Sequence, residues 1–502
     1  MKRLIMILFA ILLPCFAMSQ HDEEWNNFLK QHNFNEYKAQ RNAQFQAYKD
    51  SINKEFAKHI EQRWQDYQVF VGKRRPSKPE PQQLPVAPHD TVKQQPVQMP
   101  INNIIPVPET HPINQDIIEE ESIAPMSDTN INHKVFQNVD VNFYMQKVNF
   151  DIPESYSQLM LENISEKMVA KFWTSLAEGK FEVCVNQFKQ QRKDLHLNDW
   201  AVYDMITNLA SEVFTRRYAE QTIFTVFMLN QLGLNAKIGR SDNQLIVLVP
   251  AQNTIYAVAY ALCDNEPYYI FSLYPKEQQV VASVSTYPVA FPKPTQALDM
   301  NINEPISFVR QASSVIYTTD FWGDEVPFQV NQNAIDFYGR YPQVDIEIYA
   351  NAEMSDELKV WSDKQIKPII NDLDEYAAVS VILYYVQTAF DYATDMQQFG
   401  YEKPFFCEEN FYYSKNDCED RAILLSYLIR NLVGSKMVLL DYPDHIATAV
   451  AFKDDSMATG DYYQVNNLKY YVCDPTYIGA NIGESMPQYR KIKADVLMLK
   501  GN

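Results

Sequence analysis

Near the end of the chain, three residues have the types and the order that thiol chemistry needs. Cys418, His445 and Asp474 follow one another at separations of 27 and 29 residues. A cysteine attacks only as its thiolate. The free amides and positive dipole end of a helix N-terminus favour that anion. Residues 417–432 (DCEDRAILLSYLIRNL) read as such a helix and place Cys418 at its start. His445 opens a strand predicted over 445–452, and Asp474 ends one predicted over 468–473. Nucleophile, base and orienting carboxylate would then come from adjacent elements of one unit. Taken singly, each residue has a plainer use: a small core thiol, a structural imidazole, an Asp-Pro turn. Together they predict a depressed Cys418 pKa, one His445 ring nitrogen near the sulfur, and the other bonded to Asp474.

The elements that must position these side chains recur twice. In the second set, 344–349 (VDIEIY) alternates like a strand. A buried-looking helix over 375–390, the helix at 417–432, and strands over 436–440, 445–452 and 468–473 follow. In the first set, 199–214 aligns without gaps to 375–390, and 218–232 aligns to 418–432. Strands over 245–249 and 268–271 match the later ones, and Asn142-Phe143-Tyr144 echoes Asp336-Phe337-Tyr338. This order predicts an internal duplication; the alternative is two unrelated α+β domains that share helical periodicity. The first set puts Tyr218, Leu245, Ser272 and Ser211 where the second has Cys418, His445, Asp474 and Gln387. It reads as a scaffold without the chemistry.

Asp417-Cys418-Glu419-Asp420-Arg421-Ala422, followed by Leu424-Leu425 and Leu428, resembles the DCED signature of transglutaminase-like domains, which are papain-related cysteine enzymes. Asp444-His445 and Tyr471-Val472-Cys473-Asp474-Pro475-Thr476 resemble the histidine strand and the D-P-T strand end of that family. Tyr385-Val386-Gln387, Asp395 and Gly400-Tyr401 resemble a helix and loop of one of its branches. Three features depart from it: Asn416 stands where glycine is usual, Ile446 follows the histidine, and 405–415 is unusually aromatic. The resemblance covers 336–502 and implies an α+β fold, a helix against an antiparallel sheet. It also implies an acyl-enzyme on Cys418, with His445 as base and Asp474 orienting it. The Cys418 amide and the Gln387 side chain would be oxyanion donors. Asp420 reads as a helix cap, and Cys473 as a core thiol on the opposite face from Asp474.

The rest of the chain sets the context. Lys2 and Arg3, the apolar run 4–17 and Ala17-Met18-Ser19 read as an export signal ending at residue 19, with lipidation at Cys15 the rival reading. Residues 20–72 carry Phe45, Tyr48, Ile52, Phe56 and Ile60 at helical spacing. That amphipathic, aromatic-rich helix would lie on a neighbouring domain or offer a surface to an envelope partner. Eleven of the 27 prolines fall between Pro76 and Pro125, which reads as a Pro-rich linker over 73–130. The remaining divisions are a degenerate copy at 131–275, a connecting β-rich segment at 276–335, and the triad-bearing unit at 336–502.

With 44 Lys+Arg against 63 Asp+Glu, the net charge of −19 argues against nucleic acid. No dinucleotide or P-loop glycine motif and no zinc-spaced Cys/His cluster occurs, so no cofactor or metal is expected. No segment after the signal is long enough to span a bilayer as a helix. The expected protein is an exported cysteine hydrolase with a peptide or protein substrate, periplasmic, cell-surface or secreted. Transfer of the acyl group to an amine, or a purely binding or assembly role, remains open.

Overall fold

The computed structural model describes residues 101–104, 136–263, 265–279, 283–286, 295–319, 321 and 327–501. The expected export signal, the helix at 20–72 and all of the Pro-rich stretch except 101–104 lie outside these residues. What is described is a mixed α+β structure with largely antiparallel sheets. No helix among the described residues is long and apolar enough to cross a membrane.

The first half contains β1 (Ile101–Ile104), the hairpin β2 (Phe136–Phe143) and β3 (Gln146–Pro153), and helices α1 (Glu166–Glu178) and α2 (Glu182–Asp194). A helix pair follows, α3 (Asp199–Val213) and α4 (Tyr218–Gln231). The strands β4 (Lys237–Ser241), β5 (Gln244–Pro250), β6 (Tyr260–Cys263), β7 (Glu266–Phe271) and β8 (Val284–Thr286) complete it. They form a sheet of order β1-β8-β4-β5-β7-β6, antiparallel apart from the β1–β8 pair.

The second half opens with α5 (Gln332–Tyr338), α6 (Ile346–Asn351) and α7 (Asp356–Gln365). Next come α8 (Glu375–Thr388), the short strands β9 (Asp391–Tyr392) and β10 (Lys415–Asn416), and α9 (Cys418–Leu432). The strands β11 (Lys436–Tyr442), β12 (His445–Ala451), β13 (Tyr462–Val465), β14 (Leu468–Val472) and β15 (Asp495–Met498) form an antiparallel sheet. Its order is β13-β14-β12-β11-β15. Reading each sheet from the strand that follows the helix pair, β4-β5-β7-β6 and β11-β12-β14-β13 have the same connection order. β8 and β15 flank the first strand of each set in the antiparallel sense.

The sequence explains why α9 and β12 lie at the centre. Every residue of β12 is buried, as expected of a strand between two neighbours with a helix on one face. Along α9, positions 419–429 are buried on all sides. A helix apolar on one stripe sits at a surface, whereas one buried all round belongs to a core. Leu424, Leu425, Leu428 and Ile429 are fully withdrawn from water, each contributing about 1.5–3 kcal/mol of transfer free energy. α9 packs on β11 and β12, and α8 packs on α9.

Three expectations change. The alternating run at 344–349 is not a strand: after Val344, residues Ile346–Asn351 form a helix capped at Asp345. Ile346, Ile348, Tyr349 and Ala350 are all buried, and with both faces covered a short apolar run carries no period that separates strand from helix. The echo between 142–144 and 336–338 also has no structural counterpart, since Phe143 ends a strand and Phe337 lies in a helix. Between 276 and 335 the described residues hold one three-residue strand and isolated bridges rather than a β-rich segment.

Candidate active site

The β11–β12 hairpin sets the position of His445. Tyr442 pairs with His445 across the two-residue connection Pro443-Asp444, so the imidazole stands at the end of the sheet. β14 runs beside β12, with Val472 opposite Ala449, and Asp474 follows two residues later. His445 Nε2 lies 2.8 Å from Asp474 Oδ2, and both side chains are buried. Asp474 Oδ1 accepts the backbone N–H of Thr476 (2.9 Å) and of Tyr477 (3.3 Å). A carboxylate held by three donors cannot swing away. Because a carboxylate only accepts, Nε2 is the protonated nitrogen that donates to it.

Aromatic rings wall this pair. Tyr489 stacks on the imidazole with ring centroids 5.0 Å apart and planes 17° apart. Tyr442 stacks in turn on Tyr489 at 4.7 Å. Sequence reasoning missed Tyr489, which lies beyond the last motif in a segment without periodicity.

Cys418 is the first residue of α9 and is half-buried. Asp417 N donates to Asp420 Oδ2 (3.2 Å), and Phe405 N donates to Asp420 Oδ1 (2.8 Å). Asp420 is therefore the cap expected of it, and it also fastens the preceding loop. The backbone of Ile446, next in the chain to His445, favours the Cys418 anion. Opposing it, the thiol donates to Glu419 Oε2 at 3.1 Å.

Burial, first, and then the Glu419 and Asp417 carboxylates push the thiol well above its ordinary pKa. The expected depressed pKa is not met. The helix end offers about half a positive charge, and two adjacent carboxylates in a desolvated site outweigh it. Burial likewise raises the Asp417 and Asp420 carboxyls, each reinforced by acidic neighbours.

Gln387, expected as an oxyanion donor, turns its amide to the 474–480 loop. Its Nε2 donates to the carbonyls of Asp474 (3.1 Å), Tyr477 (2.9 Å) and Ala480 (3.1 Å), and its Oε1 accepts Gly479 N (3.3 Å). Both amide hydrogens are committed to the 474–480 loop, so the residue holds the loop that carries Asp474. Arg421, fully buried, donates to Asn416 Oδ1 (2.8 Å) and Phe390 O (2.8 Å) and ties the end of α8 to the approach to Cys418.

Cys184, Cys263, Cys407, Cys418 and Cys473 are all free thiols, and Cys473 is buried in the main core. Asp395, Asp417 and Glu419 each offer one oxygen within 4.8 Å of the others, and all three are buried. These residues could hold a hard cation, whose charge would offset the carboxylates that keep the thiol protonated. The sequence reading named no metal ligand. Asp395 begins a one-turn helix (Asp395–Gln398) between α8 and α9, and only folding brings it to Asp417.

The chain matches no protein-family model, and no curated protein sequence matches it.

Proposed function

We propose that this chain is an exported cysteine hydrolase of amide bonds in peptides or proteins, built on a transglutaminase-like fold. One observation carries the reading: the buried 2.8 Å contact between His445 Nε2 and Asp474 Oδ2, in a chain whose Cys418 starts a helix.

In this reading the Cys418 proton passes to His445 Nδ1, and the thiolate attacks the amide carbonyl. The Cys418 backbone N–H, unpaired in the first helical turn, donates to the oxyanion. The imidazolium then protonates the leaving amine, leaving a thioester on Cys418. Water, deprotonated by Nδ1, releases the acid. Asp474 holds the imidazole in the required tautomer and stabilises its charged form. Acyl transfer to an amine, which would cross-link proteins, uses the same first half.

The shared strand order of the two sheets supports the duplication, and each sheet follows a packed helix pair. Hairpin register places Gln244, rather than Leu245, opposite Ser241 as His445 is opposite Tyr442. Tyr218 begins α4 as Cys418 begins α9. On this reading the first copy has the frame without thiol, imidazole or carboxylate, and serves for packing or substrate binding.

A second reading, a non-catalytic binding or assembly protein, is favoured by the raised thiol pKa and its Glu419 contact. A thiol-directed activity probe separates the two. Labelling of the mature protein that is lost in Cys418→Ala and diminished in His445→Ala supports the enzyme. Labelling no faster than that of a free thiol, and indifferent to His445→Ala, overturns it.

A further inference from the structure

At the far end of α9 from Cys418, three cationic side chains from three different elements meet around one groove of about 290 Å³. Arg430 comes from the last turn of α9, Lys436 from the first residue of β11, and Lys500 from the segment after β15. A basic residue in the last turn of a helix is ordinary, because the macrodipole is negative there. That argument covers Arg430 only; Lys436 and Lys500 arrive from elsewhere in the chain.

None of the three forms an ion pair with a carboxylate among the described residues, though the charge of Glu353 acts on Arg430. Arg430 donates Nε to Ser426 O (3.1 Å), Nη1 to Asn351 Oδ1 (3.4 Å) and Nη2 to Ala350 O. Lys500 Nζ donates to Asn303 Oδ1 (2.7 Å) and Asn351 O (3.4 Å). All of these acceptors are neutral. Lys436 is exposed. The single acid in the wall, Glu353, is already paired with Lys359 at 3.2 Å. In a chain of net charge −19, this is a concentrated positive site.

A second, independent feature points the same way. Tyr427 lines the groove, is 2 % exposed, and its hydroxyl has no hydrogen-bond partner. A buried hydroxyl left unpaired costs about 1–3 kcal/mol. Burial and nearby acidic groups hold this phenol protonated, so its O–H can donate to an acceptor that arrives from outside.

We propose that this groove is a binding site for a phosphate-sized oxyanion, held by Arg430, Lys436 and Lys500 and by the hydroxyl of Tyr427. The site is separate from the Cys418 chemistry and does not depend on it. It lies where the two ends of the second half meet, α6 on one side and the segment after β15 on the other. An anion there would clamp the segment after β15 to the end of α9.

The test is calorimetric titration of the full chain with inorganic phosphate at fixed ionic strength, with acetate as a second arm. One phosphate per chain is expected, with acetate bound more weakly because it carries one charge. Lys500→Gln should weaken phosphate by about tenfold, as for loss of one charge-assisted hydrogen bond. Lys436→Gln makes no bond that folding needs, and should weaken it by about threefold through lost charge alone. Tyr427→Phe should weaken it by about fivefold. Cys418→Ala should bind as the unaltered chain does. The proposal is overturned by the absence of phosphate binding, by unchanged affinity in both lysine variants, or by loss of binding in Cys418→Ala.

Discussion

His445 donates from Nε2 to Asp474 Oδ2 at 2.8 Å, from the first residue of one central strand to a loop two residues past the end of its neighbour. Asp474 is held in turn by the N–H groups of Thr476 and Tyr477. The pair is a rigid unit at the end of the sheet.

That unit predicts an ordering of variants. Cys418→Ala should abolish hydrolysis of an amide substrate. His445→Ala should lower kcat by about 10²–10⁴-fold, the range expected for loss of an acid–base catalyst. Asp474→Ala should cost less than Cys418→Ala because it orients rather than attacks. Steady-state kinetics on the three variants checks the order, and an Asp474→Ala loss equal to that of Cys418→Ala would count against the assignment.

Glu419 predicts a gain. Its carboxylate accepts the thiol proton and disfavours the thiolate. Glu419→Gln removes the negative charge, so the Cys418 pKa should fall, and each unit of fall raises the thiolate fraction about tenfold below the pKa. Iodoacetamide alkylation followed against pH should show the profile shifted to lower pH. A profile shifted upward, or left unchanged, would sink the electrostatic account of this thiol.

The buried acids predict how stability depends on pH. The folded pKa of Asp417 is raised by burial and by the acidic groups around it. A carboxyl raised on folding binds more protons in the native state than in the unfolded one. Its contribution to stability is greatest below the ordinary carboxylate pKa and is lost as pH rises from there towards the folded value. Asp417→Asn cannot ionise, so its melting temperature should decline less between about pH 5 and about pH 8, above the usual carboxylate range, than that of the unaltered chain. Thermal melts across that window decide it.

Gln387 predicts a structural loss with a catalytic consequence. Its amide holds three carbonyls and one N–H of the 474–480 loop. Gln387→Ala should destabilise the fold by about 1–3 kcal/mol, since buried acceptors lose their donor. Hydrogen exchange at Gly479 should quicken, and activity should fall through misplacement of Asp474. If activity fell while exchange at Gly479 stayed slow, a direct role in oxyanion binding would be restored.

Much of the site was legible in local pattern. The DCED run at a helix start, the histidine at a strand start and the Asp-Pro at a strand end each carry short-range signals. The helices at 199–213, 218–231, 375–388 and 418–432 lie within a residue or two of where their apolar spacing put them. The helix at 346–351 was not legible, because Ile346, Ile348 and Tyr349 are buried on both sides and alternate only by accident of composition. Gln387 was misread because a side-chain amide suits an oxyanion and a carbonyl-lined loop equally well, and only the chain's path shows which it meets.

The sequence alone determined the helix that starts at Cys418, the order of Cys418, His445 and Asp474 along the chain, and the acidity of the chain, since these depend on residue type and on contacts a few positions apart. Tertiary structure decided the rest. It brought Asp395 to Asp417 and Glu419, laid Tyr489 on His445, and turned Gln387 to the 474–480 loop. It also reversed the expected effect on Cys418. A helix N-terminus favours a thiolate by a local dipole, but the balance of charge and desolvation at the sulfur is set by groups that only folding assembles.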